Sequence, residues 1–372
     1  MSVGKVTVTN ENLNQGPTEE IERTALFVGV SATGRNAVHA VGPKTDLTNL
    51  LGSEASGTLV KQLAAAQRNG GQNWQAYAVG IAAKEEWEAA VDLAMASVNA
   101  EYIAITDPVA DKTALQAFQA KATGLLNGFS RRLFFIGCTA GINAANQTWA
   151  QYRSVLAAIA NEVAAERVMV VPNLFGTDLG ALAGRLATNR AGIADSPMRV
   201  NTGAVRGLGE KPVDSEGIPY DMAQVEALHR KRFACVQWYD DYPGYYFTDG
   251  CTLDAPGGDY QTVENLRVAD KAARRVRILA IGRIADRKLN GTKRSIAANK
   301  NYLATPLRQM AKSYKLKGEP IPGEIREPDD NAVTIDWPDK TSVRIGILLR
   351  PYNAPKNISV GIALDLSSDL QP

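Results

Sequence analysis

The sequence predicts an α/β fold: a mostly parallel sheet flanked by helices, then a C-terminal α+β domain, with a strand-like arm at each chain end. Three observations lead to this prediction. Short apolar runs alternate with amphipathic segments from Thr24 to Leu186, the pattern becomes irregular after Arg190, and both termini carry alternating apolar residues beside linkers. The chain has 372 residues and is 45% hydrophobic, which is enough for the cores of two domains.

Five apolar runs in the first half predict the strands of the sheet. Each run is short, lacks a helical period and is rich in β-branched or aromatic residues, as expected of strands that helices cover on both faces. The runs span residues 25–30, 75–81, 101–108, 132–141 and 166–176. Apolar stripes at helical spacing separate the later runs, at 87–98, 115–125 and 149–163. This strand, helix, strand order predicts parallel pairing.

The middle of the chain has a different character. Residues 191–231 are rich in glycine, proline and scattered charge, which is typical of an irregular connection. A pair of strands at 232–239 and 245–250 is predicted next, with its turn at 241–244.

Two helices and a hairpin are predicted after this pair. A helix at about 263–290 sets basic residues against an apolar stripe, and a second at 295–313 contains Pro306 as a break or a fresh start. Alternating apolar residues at 333–337 and 341–349, separated by a turn, indicate a hairpin.

Both chain ends look like strands attached by linkers. A terminal strand can join its own sheet, or it can pair with the sheet edge of another subunit, because an unpaired edge is a template for another chain. Two such ends make a polymer possible. The alternating apolar residues are Val6 and Val8 in the N-terminal arm, and Ile358, Val360, Ile362, Leu364 and Leu366 in the C-terminal arm.

The predicted domains follow from these segments, and inter-subunit pairing is expected in the two arms. The domains are an N-terminal linking arm at 1–22, an α/β domain at 23–190, an irregular connection at 191–231, a C-terminal domain at 232–354 and a C-terminal linking arm at 355–372.

Composition argues against several classes of function. The net charge is only +2, so nothing in the whole-chain charge indicates a nucleic-acid or anionic-membrane partner. No apolar run approaches the roughly 18–20 residues that cross a bilayer, and the N-terminus lacks a signal core, so we expect a cytosolic site of synthesis and assembly. The three cysteines are expected to be small apolar residues, and the two histidines to be solvent-facing or locally hydrogen-bonded.

One loop, Phe27–Asn36, resembles a phosphate-binding loop. Gly29 and Gly34 have the spacing that lets backbone N–H groups curl round phosphates, but the Lys and the Ser or Thr of such loops are replaced by Arg35 and Asn36. Both glycines are expected to let the chain turn tightly out of the strand at 26–30. An α/β nucleotide-binding protein or enzyme using Gly29–Asn36 remains the alternative interpretation.

The sequence offers few other candidates for catalytic or metal-binding residues. The aspartates between 240 and 259 could hold calcium, but all lie beside glycine, proline or aromatic turn positions, where Asp commonly bonds its own backbone. We therefore predict no catalytic residue, no cofactor and no metal site, and a protein that is not an enzyme.

Several motifs, in order along most of the chain, resemble those of contractile tail sheath proteins of phages and related injection particles. They are a strand meeting a Gly-rich turn, a helix closing with Asn-Gly-Gly, a Ser-Pro-x-x-Val segment and an aromatic strand running into Thr-Leu. The matching residues are Thr24, Ala25, Val28, Gly29, Gly34, Leu51, Gly52, Asn69, Gly70, Gly71, Ser196, Pro197, Val200, Thr252 and Leu253. Cys251 stands where the family usually has Arg, and the short chain implies that outer decorations are absent.

The resemblance implies a structural subunit of a virion tail. Such subunits polymerise as a helical stack of hexameric rings around a tail tube, with arms that complete a neighbour's sheet. On a signal from the baseplate the sheath shortens and drives the tube through the host envelope, without a nucleotide. The implied partners are further copies of the chain, the tail tube protein, and baseplate and tail terminator proteins, with no nucleic acid and no membrane insertion.

The basic helix has a specific role on this interpretation. Lys271, Arg274, Arg275 and Arg277 are expected to face the tube through salt-sensitive contacts.

Overall fold

The computed structural model describes residues 20–316 and 318–364, and its centre is a six-stranded sheet. The strand order is β2-β3-β1-β4-β5-β6, and every pairing is parallel except that of β2 with β3. The strands are β1 Ala25–Val30, β2 Val38–Val41, β3 Ala76–Ile81, β4 Tyr102–Ile105, β5 Phe134–Thr139 and β6 Val168–Pro172. The mostly parallel sheet is confirmed, whereas the short antiparallel β2 was not predicted.

Helices cover both faces of this sheet. Leu26 and Val28 of β1 face a core formed with α3, α4 and α5, whereas Ala25 and Phe27 face a second core formed with α1, α2 and α6. Alternate residues of a strand point to opposite faces, so one apolar run supplies both cores. The helices are α1 Leu47–Leu51, α2 Thr58–Gly70, α3 Trp87–Met95, α4 Lys112–Phe129, α5 Trp149–Ala160 and α6 Asp178–Ala187.

The segment after α6 returns to the sheet. Ala234 N donates to Val170 O (3.0 Å) and Leu253 N to Val168 O (2.9 Å), so two parts of this segment cover the outer edge of β6. The predicted strand pair is present, but its turn lies at Asp240 and Asp241, earlier than expected. The elements are α7 Met222–His229, β7 Val236–Tyr239 and β8 Tyr242–Phe247, of which α7 lies in the connection predicted to be irregular.

Three C-terminal helices and a hairpin pack around a third core. The long predicted helix ends at Ile281 instead of continuing to residue 290. Pro306 lies in the first turn of a new helix, as one of the two predicted options had it. The predicted hairpin is present as β11 and β12. The elements are α8 Val263–Ile281, α9 Lys293–Leu303, α10 Thr305–Ala311, β9 Tyr314–Leu316, β10 Glu319–Ile321, β11 Val333–Asp336 and β12 Arg344–Ile347.

Helix α8 connects the sheet to the C-terminal elements. Its first turns place Val263 and Leu266 in the second core, and its later turns place Val268, Ala272 and Val276 in the third core. One rigid helix therefore belongs to both parts of the molecule. None of the helices in the described part of the chain is both long and apolar enough to cross a membrane.

Candidate functional site

The glycine loop after β1 leads into a strand. Phosphate-binding loops place their glycines before a helix, whose N-terminal N–H groups and dipole hold the anion. Here the chain continues into β2, and the exposed Arg35 donates from Nε to Ser31 O at 2.7 Å. Asn36 N donates to Gly80 O at 3.0 Å. The loop bonds its own sheet and forms no phosphate cradle.

The crevice beside this loop is filled by the chain itself. In open α/β sheets ligands bind at the carboxyl ends of the strands where the strand order reverses, which here is between β1 and β4. Asp107 occupies this position, accepting from Val30 N at 3.0 Å and from Thr58 Oγ1 at 2.8 Å. Burial raises the pKa of Asp107, although both hydrogen bonds oppose that change.

Gly29 serves this packing. A Cβ atom at Gly29 would lie 1.7 Å from Oγ1 of Thr106, whereas Gly34 has the left-handed φ of +64° that a turn requires. The expectation that both glycines form the turn is therefore wrong for Gly29, whose missing side chain makes room for β4.

The remaining polar candidates have local structural roles. His39 and His229 hydrogen-bond the backbone oxygens of Gly34 and Phe233, as expected. Asp254 accepts from two backbone N–H groups of its own turn. Cys138 and Cys235 are buried and Cys251 is half-buried, and burial raises the pKa of each thiol. Within 20–316 and 318–364, no three His, Cys, Asp or Glu side chains gather in a way that could hold a metal ion.

Helix α8 lies across the amino ends of the parallel strands and is joined to them by buried ion pairs. Arg267 binds Glu101, the residue before β4, at 2.7 and 2.8 Å. Asp270 binds Arg167, the residue before β6, at 2.8 and 3.0 Å. All four side chains are almost fully buried, so the position of α8 on the sheet is strongly constrained.

Three of the four basic residues predicted to face a tube have acidic partners in the same chain. Lys271 Nζ lies 2.6 Å from Oε1 of Glu324. Arg274 and Arg275 bind carboxylates just before β1, and the exposed Arg277 has no ion pair in the part of the chain that the structure describes. The assignment of all four to a tube-facing surface stays a prediction.

The carboxylate bound by Arg274 belongs to Glu22, with Nη2 and Oε1 2.7 Å apart. Burial raises the pKa of Glu22, but the charge and hydrogen bond of Arg274 outweigh burial, so the pKa lies below its usual value. Arg275 binds Glu20 at 2.7 Å in a more exposed pair. These contacts hold the chain where it enters β1.

The C-terminal segment has one strong contact with the body of the subunit. Lys356 Nζ lies 2.5 Å from Oδ2 of Asp249 and 2.7 Å from Oε1 of Glu264, in the first turn of α8. Burial and the charge of Asp249 raise the pKa of Glu264. Burial lowers the pKa of Lys356, but the two carboxylates reverse this and hold it above its usual value.

Beyond Lys356 the predicted arm is exposed. Residues 357–364 are assigned to neither helix nor strand, and the four apolar side chains are 73% to 89% exposed. These residues are Ile358, Val360, Ile362 and Leu364. Leu366, Val6 and Val8, also predicted to lie in the arms, fall outside the described residues.

Sequence reasoning missed the residues that hold the two ends. One signal could have revealed Lys356, because it is the sole charged residue between Arg350 and Asp365. No local pattern indicates its partners Asp249 and Glu264, which are 107 and 92 positions away.

Two family models together match most of the chain. Residues 3–251 match the DUF2586 N-terminal domain and residues 259–367 match the DUF2586 C-terminal domain. The chain is 45% identical over 371 residues to a protein of Haemophilus phage HP1 (strain HP1c1) that carries the provisional name tail sheath protein; the match covers 96% of this chain and 97% of the relative.

Two solved structures share the fold. The helical sheath of the anti-feeding prophage in its contracted state matches with a TM-score of 0.59 at 16% identity, over 98% of this chain and all of that one. The sheath tail protein of Listeria innocua matches with a TM-score of 0.59 at 8% identity, over 91% of this chain and 93% of that one.

Proposed function

Because the chain belongs to the DUF2586 family and is a tail sheath protein of a phage or contractile injection system, we propose that it polymerises as stacked rings around a tail tube. In this proposal the polymer contracts and drives the tube through the host envelope. The chain is a structural protein and not an enzyme; its relatives are structural proteins as well.

One observation carries the proposal: no described residue of the subunit covers four alternating apolar side chains of the C-terminal segment. A strand that exposes a row of Ile, Val and Leu side chains is prone to aggregation unless another surface covers it. Pairing with a sheet edge of a second copy would satisfy the backbone and bury one row of side chains. Residues 358–366 are therefore assigned to inter-subunit pairing, with Val6 and Val8 in the corresponding N-terminal role.

The hairpin β11–β12 is the proposed acceptor. It is a separate two-stranded sheet in the described part of the chain, and such hairpins are marginally stable alone. Val333 and Ile335 fix β11 to the third core, while the outer edges of both strands have no further strand partner among the described residues. Arms of neighbouring copies would extend this sheet.

Contraction would then use no nucleotide. The free-energy difference between two packings of the same polymer would supply the work, with the arms keeping subunits connected while other interfaces exchange. The proposed partners are other copies of this chain, the tube protein, and baseplate and terminator proteins. Assembly in the host cytoplasm, before incorporation into the particle, belongs to the same proposal.

The test is polymerisation of the purified chain without any ligand. Negative-stain microscopy should show rings or tubes for the full chain and none after deletion of residues 357–372, while circular dichroism and the melting temperature of the subunit stay unchanged. The described part of this segment, residues 357–364, contributes nothing to the buried cores, so folding should survive the deletion.

A paired set of substitutions provides the control. Val360→Asp with Ile362→Asp should abolish tubes, whereas Ser359→Asp with Ala363→Asp changes the opposite row of the strand and should preserve them. A full chain that stays monomeric at high concentration would contradict the proposed polymerisation.

A further inference from the structure

The C-terminal connection, the segment that leads into the C-terminal arm, begins at a network of ion pairs and hydrogen bonds. Lys356 lies two residues before Ile358, the first of the four exposed apolar residues of the arm, and binds both Asp249 and Glu264. Asp249 is itself held by Ser196, whose Oγ donates to Oδ1 at 2.8 Å. Both carboxylates are mostly buried, with 12% of each side chain exposed. Such a network retains its geometry better than an exposed ion pair does.

The N-terminal connection, the segment just before β1, is held by a second network of ion pairs and hydrogen bonds, which also involves α8. Glu22 lies three residues before β1 and is 7% exposed, and its partner Arg274 is 14% exposed. Arg274 also donates from Nη1 to the backbone oxygen of Arg132 at 3.2 Å. The pair of Arg275 with Glu20 is more exposed and adds less.

We infer that α8 is a common anchor for both connecting segments of the subunit and fixes the spacing between the two points where they leave it. Glu264 and Arg274 are ten positions apart, which corresponds to about 15 Å along a helix. Basic residues of this helix thus hold the N-terminal connection, and its acidic Glu264 holds the C-terminal one. This inference rests on the proposed pairing of the arms with neighbouring copies.

The anchor has a physical consequence for a polymer. A strand tethered at a fixed point searches a small volume, which raises its effective concentration at the edge of the neighbouring sheet. Because α8 is also joined to the sheet through Arg267 and Asp270, motion of a whole subunit would move both tether points together. On the C-terminal side, the bending in a changing polymer would then occur beyond Lys356.

Two single substitutions test the anchor. Lys356→Met and Arg274→Met each remove one charge and keep most of the apolar stem of the side chain. Each should raise the concentration needed for tube formation by about tenfold or more, because that is the size of effect expected from losing a hydrogen bond to a charged group. Arg230→Met at the end of α7 breaks an exposed pair with Glu226 and should leave that concentration unchanged.

A charge exchange separates loss of the anchor from loss of the fold. Lys356→Glu combined with Glu264→Lys should recover assembly relative to Lys356→Glu alone, and hydrogen exchange in the monomer should be faster at residues 350–357 only in the single variant. Tubes from Lys356→Met and Arg274→Met at the wild-type concentration would overturn the anchor. If deletion of 357–372 abolishes tubes in the same experiment, the proposed arm survives that failure; if the deleted chain polymerises, the proposed function itself fails.

Discussion

Replacing Arg267 by methionine is expected to destabilise the folded chain by about 3–5 kcal/mol, the range for breaking a buried ion pair on one side. Arg267 and Glu101 are each 2% exposed, and Arg267 also donates to Leu186 O at 3.1 Å. The substitution leaves the Glu101 carboxylate buried without its cation. The free energy of unfolding, measured by urea titration, should fall by this amount.

Two controls show whether the effect comes from the uncompensated charge. Adding Glu101→Gln to Arg267→Met should restore part of the stability, because the neutral amide can still accept from Arg23 N, which lies 2.6 Å from the Glu101 carboxylate. Arg230→Met breaks a surface pair with Glu226 and should cost less than about 1 kcal/mol. A loss below about 1 kcal/mol for Arg267→Met would contradict the central role of this pair.

Replacing Arg185 by methionine is expected to cost about 3 kcal/mol or more. Its buried guanidinium donates to three backbone oxygens, those of Pro197, Arg199 and Gly203, at 2.6 to 2.7 Å. Burial lowers the pKa of Arg185 to about 10, so the group is still charged at neutral pH. Methionine leaves the oxygens of Pro197 and Gly203 without a donor among the described residues, and each such loss carries a desolvation cost. Arg199 O keeps its bond from Thr202 Oγ1 at 2.7 Å.

Lysine at position 185 is the matched control. It keeps the charge, but a single ammonium cannot reproduce the planar fork that reaches three oxygens, so Arg185→Lys should restore only part of the stability. Hydrogen exchange should also accelerate in 197–203, the segment whose oxygens Arg185 binds. Unchanged exchange there, together with a wild-type urea midpoint, would show that the guanidinium does not hold this segment.

The parallel sheet could be predicted because its physical cause lies in short stretches of sequence. Strands covered on both faces must be apolar throughout, and the five runs have that character. The short β2 has no such signal, since it lies at the sheet edge and three of its four residues are half-buried or exposed. Its pairing with β3 alone defines it. The three-residue strands β9 and β10 are likewise defined by their pairing with each other.

The roles of individual side chains could be predicted less well, because they depend on contacts between distant positions. The positive charge of α8 was evident, but charge alone does not indicate whether a partner lies in the same chain. Arg274 meets Glu22 across 252 positions, and Arg267 meets Glu101 across 166. Gly29 was expected in a turn because loops require glycine, whereas the fold requires it for close packing against Thr106.

The most direct test of the account is a cryo-electron microscopy reconstruction of the polymer formed by the full chain. The account predicts that residues 358–364 of each subunit form a strand hydrogen-bonded to the β11–β12 hairpin of a neighbouring subunit, with Lys356 still bound to α8 of its own subunit. A reconstruction in which 358–364 pairs with its own subunit, and neighbours meet through other surfaces alone, would contradict it.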